Sequence, residues 1–279
     1  MKNYILTLSL CLLFSIASKA QQDLTLFNFN DIPQSSYSNP ANQFNGKFFI
    51  GLPVMSSSYY SLSNSGFAYS DFIKKDGDSL RLDFNSMISG LEEENFMSFN
   101  TKIDLVSFGF KVGNRTQIMF NITENISFRF NYTKDLMTFI HKGNLAFDDN
   151  TADFTGTAFS ANYYGIANLD TKRSDLKLTT DPNTYALTAT SDILINTSGN
   201  TDILSSASLT GEDGFLSGSG NRGFGVDLGM NYELNEKLSL NASVVDLGFI
   251  NWNSNTTNYL IDEGRSYFDG IEVDAFSPQ

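Results

Sequence analysis

The clearest pattern along the chain is an alternation of apolar and polar residues between Asp104 and Thr133. Such alternation places every second side chain on the same face of a β-strand. Short turns are expected at Gly113-Asn114-Arg115 and at Glu124-Asn125, so the pattern predicts three strands of an antiparallel meander. The apolar face of these strands consists of Val106, Phe108, Phe110, Val112, Ile118, Phe120, Ile122, Ile126, Phe128, Phe130 and Tyr132.

A second hairpin is predicted between Phe224 and Phe249, with its turn at Leu234-Asn235-Glu236. After Val244 the apolar positions move from even to odd numbers, which is the effect of one extra residue in a β-bulge. A shorter strand is predicted from Phe48 to Val54. Pro53 then lies at a strand end or on an edge strand, because proline cannot donate to a ladder.

Other segments break the strand pattern. Leu82 to Leu91 has the spacing of a short helix, with Asn85 or Ser86 as its cap. Lys134 to Asn144 predicts a second helix, which Lys142-Gly143 ends. The stretch from Ala146 to Asn221 is polar, and we expect long extracellular loops there, with little room for a strand between Phe159 and Tyr164. Within it, Leu176 to Thr180 and Tyr185 to Thr190 are candidate strands that continue beyond a membrane.

The first twenty residues have the features of a secretory signal. Lys2 precedes an apolar run from Ile5 to Ile16, and Ser18-Lys19-Ala20 offers a cleavage site after Ala20. A signal anchor and a lipoprotein anchor at Cys11 are the alternatives. We expect residues 1–20 to be removed and residues 21–279 to form one domain, a barrel that is incomplete at its C-terminal side. Cleavage removes the only cysteine, so packing and hydrogen bonds must hold the mature fold together.

Composition bears on the environment of these strands. The chain has 25 Phe and 12 Tyr but one Trp, and the polar face of the predicted strands is rich in Gly, Ser and Asn. Small polar residues suit a crowded barrel interior, and an aromatic-rich apolar face suits lipid. The alternation predicts an all-β, antiparallel transmembrane β-barrel with short helical insertions. A soluble β-sandwich gives the same alternation and is the alternative.

Charge and hydropathy exclude other classes of protein. The whole chain carries a net charge of −13, and removal of Lys2 and Lys19 makes the mature part still more acidic. Nucleic acids and anionic lipid surfaces require basic patches, so neither is an expected partner. No apolar run after the signal has the length of a membrane helix, which excludes a helical membrane protein.

No catalytic, cofactor or metal site is expected. His141 is the only histidine and lies in a predicted helix, which makes an exposed polar residue the better interpretation than a catalytic base. Asp76-Gly77-Asp78 and Asp148-Asp149-Asn150 are interpreted as turns rather than calcium sites, because neither has EF-hand spacing. The glycines from Gly218 to Gly225 precede no helix, so they form no phosphate loop. Asp227 and Asp246 lie beside glycines on the polar side of the second hairpin. They are candidate lumen-facing acids that bias cation passage, or else paired structural acids.

Several segments also resemble a known group of proteins. Their sequences are Phe224-Gly225-Val226-Asp227-Leu228-Gly229, Leu238-Ser239-Leu240, Val245-Asp246-Leu247-Gly248-Phe249-Ile250-Asn251-Trp252, Asn39-Pro40-Ala41, Lys134-Asp135-Leu136 and Gly143-Asn144. Over roughly residues 20 to 260 the chain resembles an outer-membrane β-barrel family of Bacteroidota known only as a domain of unknown function. That family is similar to type IX secretion and gliding-associated barrels, and more distantly to fatty-acid transporter barrels. The resemblance implies location and fold and transfers no ligand residue. Such barrels end in an aromatic-terminated strand, whereas this chain ends in Ser277-Pro278-Gln279.

The first functional hypothesis is therefore a non-enzymatic barrel in the cell outer membrane, used in transport or in a secretion and surface-assembly system. Its partners are outer-membrane lipid and other envelope or secretion components. The second hypothesis is an exported soluble β-sandwich that acts as an adhesin or binding module. A barrel enzyme such as a lipase or protease is the third, and the single histidine argues against it.

Overall fold

The structure, a computed structural model, describes residues 26, 27, 29, 32–53, 55–113, 115–199, 220–235 and 238–269. Residues 1–20, where the signal is predicted, lie outside this part. The strands are β1 (Phe48–Gly51), β2 (Ser58–Asn64), β3 (Ile73–Asp76), β4 (Ser79–Leu82), β5 (Glu94–Val112), β6 (Thr116–Thr133), β7 (Thr151–Asp153), β8 (Ala158–Tyr163), β9 (Ala167–Thr180), β10 (Leu187–Gly199), β11 (Arg222–Asn235), β12 (Leu238–Asn251) and β13 (Thr257–Phe268). The helices are α1 (Tyr69–Phe72), α2 (Phe84–Ser89) and α3 (Lys134–Lys142), with 3-10 turns at Pro33–Tyr37 and Asn144–Ala146.

The fold is all-β and antiparallel, as the alternation predicted. Nine strands form one sheet whose main order is β1-β5-β6-β8-β9-β10-β13, while β2 pairs with β5 and β7 pairs with β9. β11 pairs with β12, and β3 pairs with β4, in separate two-stranded sheets. Within the described residues no ladder joins the β1 edge of the large sheet to β13, so the sheets there are not closed into a barrel. None of the described helices is both long and apolar enough to cross a membrane.

The chain divides into two compact units. The first contains residues 108–120 and 224–249 together with the described part of residues 1–50. The second contains 51–107, 121–223 and 250–279, again as far as they are described.

The predicted turn at Glu124-Asn125 is wrong, because β6 runs without interruption from Thr116 to Thr133. The apolar positions explain this. They keep the same even-numbered phase from Ile118 through Tyr132, and a turn would have shifted that phase. Glu124 instead sits within the strand, where the hydroxyl of Tyr163 donates a hydrogen bond to its carboxylate. The three predicted strands are therefore two, joined by the turn after Gly113, which has a φ of 68°.

The expectation of long loops between Ala146 and Asn221 is also wrong over much of its length. β7, β8, β9 and β10 occupy Thr151 to Gly199, and β8 fills the interval between Phe159 and Tyr164 that had appeared too short. Thr, Ser and Asp are frequent in these strands because one face carries polar groups, as the alternating register below shows. The candidate strand at Leu176 to Thr180 is confirmed, whereas Tyr185 lies in the turn before β10.

Both predicted helices exist, with one correction. α2 begins at Phe84, and its cap is Asp83, whose carboxylate accepts a hydrogen bond from the Ser86 N–H at 3.0 Å. Asn85 and Ser86 are not caps, because both lie inside the helix. α3 begins after Thr133, whose hydroxyl accepts from the Leu136 N–H, and it ends at Gly143 with a φ of 80°, as predicted. The strand predicted from Phe48 ends at Gly51, two residues before Pro53.

Burial in β5 is the reverse of the pattern in a water-soluble sheet. Asp104 and Ser107 are each only 1% exposed, whereas Val106 is 42% exposed and Phe108 40% exposed. Apolar residues on β6 are similarly open, as Ile118 and Phe120 each expose 48% of their surface. Polar side chains are thus buried and apolar side chains are exposed, which is the opposite of what water favours.

Candidate functional site

The two acids predicted to face a lumen, Asp227 and Asp246, lie beside each other in the β11–β12 hairpin. Asp246 adopts a left-handed backbone conformation with a φ of 54°. Its N–H donates a hydrogen bond of 2.7 Å to Oδ1 of Asp227. Asp246 lies where the phase slip predicts a bulge, and the carboxylate of Asp227 satisfies the backbone amide of Asp246. The contact gives Asp227 a structural role, in line with the alternative interpretation of these acids.

Glycines beside these acids permit close backbone packing. A Cβ on Gly248 would collide with the carbonyl of Phe224 and with the Cα of Gly225 on the facing strand. The two strands therefore approach closely at Gly248. A Cβ on Gly229 would collide with the backbone of Pro40 and Ala41. The Asn39-Pro40-Ala41 and Phe224–Gly229 motifs, distant in sequence, thus meet in space.

The segment from Ile32 to Lys47 is densely packed although it contains almost no regular structure; we call it the N-terminal segment. Asn39 is 2% exposed and Asn42 is 8% exposed, and the side-chain amide of Asn39 donates to Oδ1 of Asn42 at 3.0 Å. Oδ1 of Asn39 also accepts from the Ala41 N–H, and Asn42 donates to the carbonyl of Phe27 at 2.9 Å. Buried amides with partners on both sides hold the segment in one conformation.

Gln117 fixes this segment to the polar face of β6. Its Oε1 accepts a hydrogen bond from the Phe44 N–H at 3.2 Å, and its Nε2 donates to the carbonyl of Asn42. The side-chain amide of Gln117 thereby makes the two hydrogen bonds that a neighbouring strand would otherwise make to the backbone at Asn42 and Phe44. Nothing in the residue pattern indicates this role of Gln117 beyond its place on the polar side of an alternating strand.

A second polar surface lies on β9, β10 and β13, and we call it the charged groove. It is a cavity of about 300 Å³ lined by Asp175, Lys177, Thr190, Ser191, Asp192, Glu263, Gly264 and Arg265. Thr190 pairs with Lys177 on one side and with Arg265 on the other, so these residues form one row across three strands. Asp192 pairs with Asp175 in the next row on the same face. β13 adds Asp262 and Glu263 at that level, where a register shift and a φ of 47° at Glu263 mark a bulge.

Ion pairs hold part of the charged groove. Arg173 bridges Asp192 and Asp262, the latter at 3.8 Å, and Lys177 pairs with Asp153 of β7 at 2.8 Å. Within the described part of the chain, Asp175, Glu263 and Arg265 have no ion-pair partner within 4.0 Å. The polar composition of this region predicts loops and so conceals the charged groove, although the alternation of charged and apolar residues from Asp175 to Leu178 indicates a strand.

The remaining candidates are turn and surface residues. His141 lies on α3, exposed, with its ring stacked on Phe84 at 5.2 Å between centroids. Asp76-Gly77-Asp78 forms the β3–β4 turn, and Asp149 caps the Thr151 N–H. No group of three or more metal-ligating side chains occurs among the residues that the structure describes. Gly223 to Gly225 lie within β11, whereas Gly218 falls outside the described residues.

Comparison with known families shows which family the chain resembles. Residues 40–165 and 162–277 each match the model of the Family of unknown function (DUF5723). The chain belongs to this family. The matched residues include Pro40, Gln117 and Arg265, so the family model covers residues 40–47 of the N-terminal segment and the charged groove. Neither the curated proteins nor the solved structures contain a significant match to the chain.

Proposed function

We propose that this chain is a non-enzymatic outer-membrane β-barrel protein that serves transport or a secretion and surface-assembly system. The supporting observation is the reversed burial of β5, where Ser107 is covered and the neighbouring Phe108 is open. Exposing several adjacent large apolar side chains to water costs about 25 cal/mol per Å², which a soluble protein avoids by covering them. Hydrocarbon removes that cost, because the lipid itself is apolar.

Aromatic side chains along the same face support a lipid boundary. Phe99, Phe128 and Phe159 lie in a row across β5, β6 and β8, with ring centroids 6.5 and 6.4 Å apart. Phe108 and Phe120 form a further cross-strand pair at 5.2 Å. Girdles of aromatic residues flank the apolar band of outer-membrane barrels, where their rings sit at the headgroup level.

Packing on the opposite face supports an enclosed space. Gln117 holds the N-terminal segment against the polar side of β6, and Gly229 makes room for the same segment on β11. A barrel interior is normally filled by polar side chains or by a piece of the chain itself. On the proposed location, the N-terminal segment fills part of the lumen.

The test uses the absence of cysteine after residue 20. A spin label is placed at Phe120→Cys on the apolar face, and the matched control is Thr190→Cys on the charged groove. In purified protein reconstituted into phospholipid vesicles, we expect oxygen to relax the label at 120 faster than a water-soluble nickel complex does. The order should reverse at 190.

Fractionation gives an independent readout. The full chain should remain with carbonate-washed membranes and should migrate differently on a gel before and after boiling. Recovery in the soluble periplasmic fraction, with nickel accessible at both labelled positions, would instead favour the exported soluble binding module. A deletion strain then separates the two roles, since a transport defect affects uptake of solutes and an assembly defect depletes proteins from the cell surface.

A further inference from the structure

The charged groove separates its unpaired charges along the strand direction. The row containing Arg265 and the row containing Asp175 differ by two residues along the strands. A strand rises about 3.4 Å per residue, so the rows are about 7 Å apart. Glu263 belongs to the acidic side of this arrangement, because its bulge lies opposite Asp192.

The unpaired charges are two acids and one base. Asp192 and Asp262 are already bound to Arg173, and Lys177 is bound to Asp153. What remains open to a ligand is therefore the guanidinium of Arg265 at one end and the carboxylates of Asp175 and Glu263 at the other. The Thr190 hydroxyl lies in the row of Arg265, where it offers a further donor and acceptor.

We propose that the charged groove binds a short zwitterionic peptide in an extended conformation. Its carboxylate would pair with Arg265, whose planar guanidinium suits a bidentate contact, and its ammonium group would lie between Asp175 and Glu263. Two extended residues span about 7 Å, which equals the separation of the two rows. The excess of one acid in the groove suits a ligand held more firmly at its amino end.

This proposal goes beyond the membrane location and is tested separately from it. Saturation-transfer NMR titrations of the purified full chain in detergent use three probes: glycylglycine, N-acetylglycylglycine and glycylglycinamide. We expect saturable binding of glycylglycine and about tenfold weaker binding of each blocked probe, since each has lost one charge-assisted contact. The affinity for glycylglycine should also fall with added salt, because these groups are exposed.

Variants show which groove residue binds the carboxylate of the peptide and which binds its ammonium group. Arg265→Gln should weaken glycylglycine about tenfold and leave glycylglycinamide unchanged, because that probe has no carboxylate to lose. Glu263→Gln should weaken glycylglycine and leave N-acetylglycylglycine unchanged. Arg81→Gln and Glu233→Gln, which lie outside the groove, are the matched controls and should change nothing.

Four results would overturn the proposal, of which three concern the strength of binding or its response to the variants. These are no saturable binding of glycylglycine, equal binding of all three probes, and equal loss with the control variants. Tight binding of N-acetylglycylglycine alone would also overturn it, since it would show a site for anions. The far-UV circular dichroism spectrum and urea midpoint of each variant verify its fold, and neither depends on the membrane location, so a failed membrane test leaves these titrations readable.

Discussion

The strands of the first unit and the sheet of β9, β10 and β13 use the same antiparallel pairing in opposite ways. In the first unit the polar face is covered, as Gln117 and Gly229 contact the N-terminal segment. In β9, β10 and β13 the polar face is open and carries Arg173, Lys177 and Arg265 among acids. Alternation therefore determines where the strands lie in both regions. The chemistry of the polar side chains then decides whether a chain segment or a solute occupies the polar face of the sheet.

The largest expected effect tests the apolar side of the first unit. Phe120→Arg should lower the free energy of unfolding by about 3 kcal/mol in phospholipid vesicles, because a charge meets hydrocarbon. Tyr267→Arg on β13 is the control. Tyr267 lies two residues from Arg265 and so on the face of the charged groove, where the substitution should cost less than about 0.5 kcal/mol. Urea unfolding followed by the fluorescence of the single Trp252 measures both. Equal small effects would remove the distinction between the two regions.

Substitutions at two glycines test whether the polar face of the first unit is packed more tightly than the polar face of β9, β10 and β13. Gly229→Val should cost about 2 kcal/mol, because its side chain meets the backbone of Pro40 and Ala41, which has little freedom to move. A Cβ at Gly264 meets the side chains of Ile261 and Ser191 first, and the backbone carbonyl of Ser191 lies farther away at 3.3 Å, so side-chain movement relieves the closest contacts. We therefore expect a smaller loss in the same urea titration. If Gly264→Val lost more stability than Gly229→Val, the first unit would not be the more tightly packed of the two regions.

Removing a polar side chain should give the next smaller difference in stability between the two regions. Gln117→Ala removes both hydrogen bonds to the N-terminal segment and should cost about 1 kcal/mol. The same variant should also increase protease cleavage between Ile32 and Lys47. Thr190→Ala on the open face should leave stability within about 0.5 kcal/mol of the original. Unchanged cleavage in Gln117→Ala would show that this amide does not hold the segment.

The smallest effect concerns the β9–β10 turn. The N–H groups of Thr184 and Asn183 donate to Asp181 and hold the pKa of its carboxyl below the ordinary value of 3.8. A lowered pKa stabilises the folded turn above the ordinary value, and that stabilisation disappears as pH falls through the folded value. Asp181→Ala should therefore speed amide exchange at residues 183 and 184 at neutral pH. At pH 3 the exchange rates of the original protein and of Asp181→Ala should differ less than at neutral pH. A difference in rate that stayed the same at both pH values would contradict a role for the charge of Asp181.

Particular residues show how far the sequence predicts this structure. The even-numbered phase from Ile118 to Tyr132 defines β6, whereas the polar pair Glu124-Asn125 by its composition predicts a turn that is not there. The phase slip after Val244 predicts a β-bulge, and Asp246 has a positive φ at that place in β12. The partners of Gln117 and of Gly229 were not predictable, since hydrogen bonds between distant segments leave no periodic signal. The charged groove was missed for a related reason, because its rows exist only once the register of three strands is known.

The length of β5 has a consequence for geometry outside the bilayer. β5 has 19 residues, whereas a tilted strand crosses the hydrocarbon with about 10. At about 3.4 Å per residue, the remainder adds roughly 30 Å of strand that lipid does not surround. On the proposed location, this wall would rise past the headgroups, so that molecules arriving from outside would touch protein well before they reached the membrane surface.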